Sequence, residues 1–219
     1  MIRFGKAPIA CALATSLVTL ALLSGCATTH PKPISLAPPA QAPEAQHYLA
    51  AVERYSRHGH ILSDFDETLT VDATLLAPRM VAALAAKHAA VYKLTPEQAA
   101  VERAKLVAET AGAIELHVET AAHNYALNDL ASTKTVWKLS LLDDQGHAID
   151  HPSIRLGREQ RDVDAAFYPY TALFGRPWTV RFPLTFADGS PFITPSTRAL
   201  ILRIAGPNGT VDLTWQLER

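Results

Sequence analysis

The densest group of reactive side chains in this sequence is Asp64-Phe65-Asp66-Glu67-Thr68-Leu69. Its carboxylates are of the type that carries covalent and metal-assisted catalysis. A second acidic pair, Asp143-Asp144, follows Leu141-Leu142. Histidines also come in pairs: His58 with His60, His117 with His123, and His147 with His151. On a strand, a spacing of two turns the imidazoles of His58 and His60 to one face, from which they could contribute to a metal site. No third and fourth ligands follow at a recognisable spacing and no H-E-x-x-H is present, so the histidines read as solvated surface residues and no metal site is expected. There is no G-x-S-x-G elbow, glycine-rich phosphate loop or nucleophilic cysteine to anchor a hydrolase or nucleotide-binding reading. Tyr168-Pro169-Tyr170, with Phe167 and Phe174, forms an aromatic loop suited either to plugging one end of the fold or to acting as a recognition edge.

The segment 64–69 resembles the first motif, D-x-D-x-T, of haloacid dehalogenase-type phosphotransferases. That resemblance implies a magnesium-dependent phosphatase in which Asp64 attacks phosphorus and Asp66 serves as acid and base toward the leaving group, with Asp143-Asp144 in the place of a later acidic motif. The family sets its first aspartate at the end of a buried parallel strand, which requires a nearly continuous apolar run. Here His58-Gly59-His60-Ile61-Leu62-Ser63 precedes it, with only two strongly apolar residues. The residues after it alternate apolar with polar. The competing reading therefore places these acids on the wet face of a half-buried strand, with no catalytic residue and no cofactor.

The amino-terminal segment reads as an address. Arg3 and Lys6 precede an apolar run over residues 7–23, broken only by Pro8, Thr15, Ser16 and Thr19, which is the layout of an export signal. Leu23-Ser24-Gly25-Cys26 resembles the lipobox of bacterial lipoproteins and sits directly after that run. The resemblance implies cleavage between Gly25 and Cys26, a diacylglyceryl group on Cys26, and a membrane as partner through the acylated cysteine. Ala27 and Thr28 follow, without the aspartate that retains many such proteins at the inner membrane. The implied location is the outer membrane, facing the periplasm. Cys11 would leave with the signal, so the remaining chain would have no disulfide.

These groups must be carried by 219 residues that are 48% hydrophobic, 19% charged and 7% aromatic, with a net charge of −1. That composition excludes disorder and coiled coil, and supplies no basic footprint for nucleic acid. Residues 1–25 form the expected signal. Residues 26–43, with prolines at 31, 33, 38, 39 and 43, form an expected extended tether. Residues 44–219 form one globular domain, mainly helical over 44–112 and mainly β over 113–219, with an additional strand at 61–75.

Tyr48, Leu49, Val52 and Tyr55 recur at helical spacing, predicting a helix over 44–59. Pro78 opens a second helix running to about Tyr92. Thr95, placed as an N-cap ahead of Pro96, opens a third that runs to about Thr110 and stops at Gly112. After Gly112 the period is two: around Leu116, from Trp137 to Leu141, from Trp178 to Phe186, and over 198–205 and 210–217. Pro183 predicts an edge or bulge for its strand. Trp137, Trp178 and Trp215 fall on the apolar phases and read as core. The expectation is an α+β fold, an antiparallel β-sandwich of immunoglobulin-like general architecture with the N-terminal helices packed beside it. Its expected role is a non-enzymatic binding or structural module with a possible envelope protein partner. The alternative is the phosphatase using Asp64 and Asp66.

Overall fold

The computed structural model describes residues 31–63, 66–157, 165–171 and 174–218. The expected signal, with Gly25 and Cys26, lies outside the described residues, as does Asp64. The described elements are α1 (Tyr48–Tyr55), β1 (Ser56–Ser63), β2 (Asp66–Leu75), α2 (Pro78–Val91), α3 (Pro96–Thr110), β3 (Ala113–Ala121), β4 (Lys138–Asp143), β5 (Ala148–Asp150), β6 (Ser153–Leu156), β7 (Arg176–Pro183), β8 (Ala199–Gly206) and β9 (Gly209–Gln216). Among the described residues the strands form two antiparallel sheets, in the orders β1-β2-β3-β7-β6 and β5-β4-β8-β9. The fold class is α+β. No described helix is long and apolar enough to cross a membrane.

The period-two alternation does what it must in such sheets. Leu69, Val71 and Ala73 of β2, Leu116 and Val118 of β3, and Trp178, Val180 and Phe182 of β7 are buried. They share one core with Leu139 and Leu141 of β4, Leu200, Leu202 and Ile204 of β8, and Leu213 and Trp215 of β9. The opposite face of the first sheet carries the polar phase. Register sets Asp72 beside Glu119 and Thr74 beside His117, with His58 and Ser56 of β1 on the far side of Asp72 and Thr74.

Helix ends follow local chemistry. Thr95 Oγ1 accepts from the backbone N–H of Gln98, whose side chain accepts from the Thr95 N–H, completing a capping box ahead of Pro96. Gly112 has φ +77°, the left-handed backbone that ends the α3 region and starts β3.

The structure revises several expectations. The first helix stops at Tyr55 instead of continuing to Gly59, because residues 56–63 extend as β1 and pair with β2. The single strand expected over 61–75 is the second arm of that hairpin plus the end of its first arm. Gly59 explains why β1 has this sequence. A Cβ there would lie 2.5 Å from Val211 Cγ2 and 2.9 Å from Leu213 Cδ2 of β9, so the two sheets meet where β1 has no side chain. Gly59→Ala is expected to cost about 1–3 kcal/mol through overpacking, read as a lower denaturation midpoint at unchanged slope. A variant as stable as the parent would place the contact elsewhere.

The proline-rich segment is docked on the domain from Pro33 onward. Ile34 is fully buried, its N–H donates to Gln216 O (2.8 Å), and its carbonyl accepts from Glu218 N (2.7 Å). Arg54 Nε donates to Pro33 O (2.9 Å), and Tyr55 Oη donates to Ser35 O (2.9 Å). The folded unit therefore begins near Pro33 and not at Glu44. Pro183 is the last residue of β7, which lies between β3 and β6 and is not an edge strand. β6 reaches only to Arg181, so Pro183 has a strand neighbour on one side and its missing N–H is tolerated. The strand ends there instead of running to Phe186. Short β5 and β6, which the alternation did not predict, complete the sheets.

Candidate functional site

Asp66 is the first residue of β2 and pairs with Ser63 across the β1–β2 hairpin. Its Oδ1 lies 3.1 Å from His123 Nδ1, and both side chains are largely exposed. The two residues join Ser63, Thr68, Asn124, Leu127 and Asn208 around an open cleft of about 360 Å³. Six of the seven lining residues carry hydrogen-bonding side chains: hydroxyls from β1 and β2, the Asp66 carboxyl beside the His123 imidazole, and two amides. Such a cleft suits a small hydrophilic ligand.

Asn208 comes from the turn between β8 and β9, at the Gly206 end of β8. Asp143 and Asp144 lie at the other end of that strand. Asp144 Oδ1 accepts from Arg198 N (2.6 Å). Asp143 accepts from the backbone N–H of Gln145 and of His147 (2.9 Å each) and lies 2.8 Å from His147 Nδ1. Eight residues of strand span roughly 25 Å, so Asp66 does not converge with Asp143 and Asp144, which hold a turn. A magnesium site would need carboxylates gathered around one point. Asp66 has a histidine for its neighbour, and no described group of three or more His, Cys, Asp or Glu side chains is arranged to hold a metal. The described residues do not fit that ion. Asp66 also opens a strand of an antiparallel hairpin, unlike the buried parallel strand that the resemblance implies.

The histidines divide into two kinds. His58 and His60 share the outer face of β1, ring centroids 6.3 Å apart, as their spacing predicts. His58 Nδ1 lies 3.0 Å from Asp72 Oδ1. Burial raises the Asp72 carboxyl above its ordinary range, and the His58 hydrogen bond partly opposes this. His58, His123 and His147 have exposed side chains, each beside a carboxylate. His117 departs from the solvated expectation. Its Nε2 is shielded from solvent and has no hydrogen-bond partner among the described residues. Burial pulls its pKa down to about 3.

His117 is covered by the aromatic loop. The ring of Tyr168 stacks on it at 3.7 Å between centroids and 6° between planes. One residue earlier, Phe167 lies 4.3 Å from the His88 ring of α2, and Tyr48 Oη donates to the Phe167 carbonyl (2.7 Å). Two residues later, Tyr170 Oη is 2.5 Å from Thr74 Oγ1, which is 2.6 Å from Ser56 Oγ. Burial pushes the Tyr170 phenol up. The loop thus lies on the outer face of β2 and β3, where Phe167 and Tyr168 join the hydrophobic core and Tyr170 packs against it; Phe174 is exposed.

The three tryptophans are core residues, as expected. Each indole N–H is satisfied: Trp137 on Leu127 O (2.7 Å), Trp178 on Thr120 Oγ1 (2.8 Å) and Trp215 on Tyr55 O (2.7 Å).

Compared with known proteins, the chain matches no family model, no curated protein and no solved structure.

Proposed function

We propose that this chain is a lipid-anchored envelope lipoprotein, held on the outer membrane facing the periplasm through Cys26. Its domain is an immunoglobulin-like sandwich acting as a non-enzymatic binding or structural module. The observation that carries the reading is Leu23-Ser24-Gly25-Cys26 placed directly after an apolar run with a basic start. Several acyl chains, each CH2 worth roughly 0.8 kcal/mol on burial, make such an anchor effectively permanent. Cys26 precedes Pro33 by only seven residues, a reach of roughly 25 Å at full extension, so the domain would work close to the bilayer.

Strand order supports the finer architecture. β2-β3-β7-β6 and β5-β4-β8-β9 run in the order of immunoglobulin strands A-B-E-D and C′-C-F-G. β1 is an addition at the A edge, and α2 and α3 are inserted between A and B. Tyr48, Val52, Tyr55, Met80 and Leu84 of α1 and α2 join the common core, which supports helices packed beside the sandwich. Fold alone assigns no ligand. The binding role rests on the cleft at the β1–β2 hairpin and on the separation of the acids that a catalytic site would gather.

Cys26→Ala is expected to release the protein from the membrane fraction into the soluble periplasmic fraction. Full retention of the variant on membranes would reject the anchor. A second reading, phosphoryl transfer using Asp64 and Asp66, has one observation in its favour: Asp66 and Thr68 both line the polar cleft. Its test is turnover of a broad phosphoester panel with and without magnesium, beside Asp64→Asn. Activity lost in that variant would replace the binding reading, and no magnesium-dependent turnover would remove this one.

A further inference from the structure

We propose that residues 167–170 form an acid-released strap, clamped over the β2–β3 face while His117 and His88 are neutral and let go when those imidazoles are protonated. The clamp consists of two adjacent ring contacts, Phe167 tilted at 40° against His88 and Tyr168 stacked on His117, supplemented by the Tyr48–Phe167 and Tyr170–Thr74 hydrogen bonds. Beneath it lie Thr74 and His117, which the strap contacts and release would expose.

The groups around His117 decide the sign. On its own strand Glu115 and Glu119 flank it two residues away. Glu115 carries a 3.1 Å ion pair with Arg181 of β7, and Glu119 is only 3% exposed. From β2, Asp72 is engaged by His58 of β1. Beyond β7, Arg155 of β6 pairs in register with Thr179, the β7 neighbour of His117. The strap contributes Tyr168 and Tyr170, α1 contributes Tyr48, and α2 contributes His88, which has Glu102 of α3 at 3.3 Å and Lys105 nearby. None of these provides a hydrogen-bond acceptor to Nε2. A proton added there would place a positive charge against a phenol ring at an atom shielded from solvent and without an acceptor, a state disfavoured relative to opening into water. His88 shifts in the same direction, burial outweighing Glu102.

The magnitude follows from linkage. An imidazole that is protonated near pH 6.5 when open and near pH 3 when clamped raises the opening equilibrium about 25-fold between pH 7 and pH 5. The test is amide hydrogen exchange of residues 165–171 in the whole chain, corrected for intrinsic pH dependence, with β8 as the internal reference. The expected result is a rise of that order in the strap and no change in β8. His117→Phe, which keeps a flat ring for Tyr168 but cannot be protonated, is expected to reduce the rise below about threefold. Equal strap protection at pH 7 and pH 5, a full rise in His117→Phe, or simultaneous opening of β8 would each overturn the proposal. So would an NMR titration of the wild-type His117 ring with an ordinary midpoint near 6.5, a measurement that does not depend on the variant folding.

Discussion

Ile34→Ala is expected to lower the melting temperature by about 4–20 °C, although position 34 falls in a proline-rich stretch with the composition of a linker. Ile34 is fully buried and forms backbone bonds to Gln216, the last residue of β9, and to Glu218 just after it. Truncating a buried isoleucine to alanine costs roughly 2–5 kcal/mol, and near this chain length each kcal/mol moves the midpoint by about 2–4 °C. The backbone bridge to Gln216 and Glu218 does not involve the side chain, so the loss isolates packing. Pro39→Ala, on the rim of the groove between this segment and α2 and α3, should change the midpoint by less than about 2 °C. Thermal unfolding followed by circular dichroism measures both. A loss under 1 kcal/mol at Ile34 would mean that the segment lies on the domain without stabilising it.

That segment marks where sequence reasoning loses its grip. Composition over 26–43 averages many prolines with few apolar residues, and a single isoleucine that finds a slot beside β9 does not move an average. By contrast, α2, α3 and the strands around Leu116, Leu139, Val180, Leu202 and Leu213 were legible because their signals are local and redundant. A Thr-Pro-x-Gln cap, a glycine at positive φ and strict alternation each specify structure within a few residues. The β1–β2 hairpin was not legible for the opposite reason. Arg57, His58 and His60 have no strand pattern of their own, and β1 exists because β2 and β9 offer it partners.

The candidate site divides the same way. The acids at 64–67 stood out by density, yet density says nothing of direction. Asp66 faces His123 at a hairpin end, and Asp143-Asp144 organise a turn at the far end of β8. Tyr168-Pro169-Tyr170 was visible as an unusual aromatic cluster. Its counterpart was hidden because His117 sits on the polar phase of β3, which alternation assigns to water. A polar phase is wet only if nothing crosses it, and what crosses this one lies fifty residues further along the chain.

Trp215→Ala is expected to be the most damaging single change, because Trp215 ties β9 to the junction of α1 and β1. Its side chain is fully buried, and its indole N–H donates to Tyr55 O (2.7 Å), the last carbonyl of α1. Arg57 lies over the ring with its guanidinium carbon 5.7 Å from the centroid. Arg57 Nε donates to Thr214 O (2.6 Å), and its Nη1 donates to Arg54 O (2.9 Å) and Ser56 O (2.6 Å). Removing the indole costs about 3–5 kcal/mol in packing. It also takes a donor from a carbonyl enclosed in the core and uncovers a guanidinium that relies on the ring for cover, so the loss should fall at or above the top of that range. Trp215→Phe keeps a six-membered ring but removes the N–H together with part of the bicyclic indole, and should cost about 2–4 kcal/mol. Urea unfolding of the three proteins should give midpoints in the order wild type, Phe, Ala with a common slope. If Trp215→Phe were as damaging as Trp215→Ala, the ring that phenylalanine retains would contribute nothing to the anchoring of β9. If Trp215→Ala came within 1 kcal/mol of wild type, β9 would not be anchored through this residue.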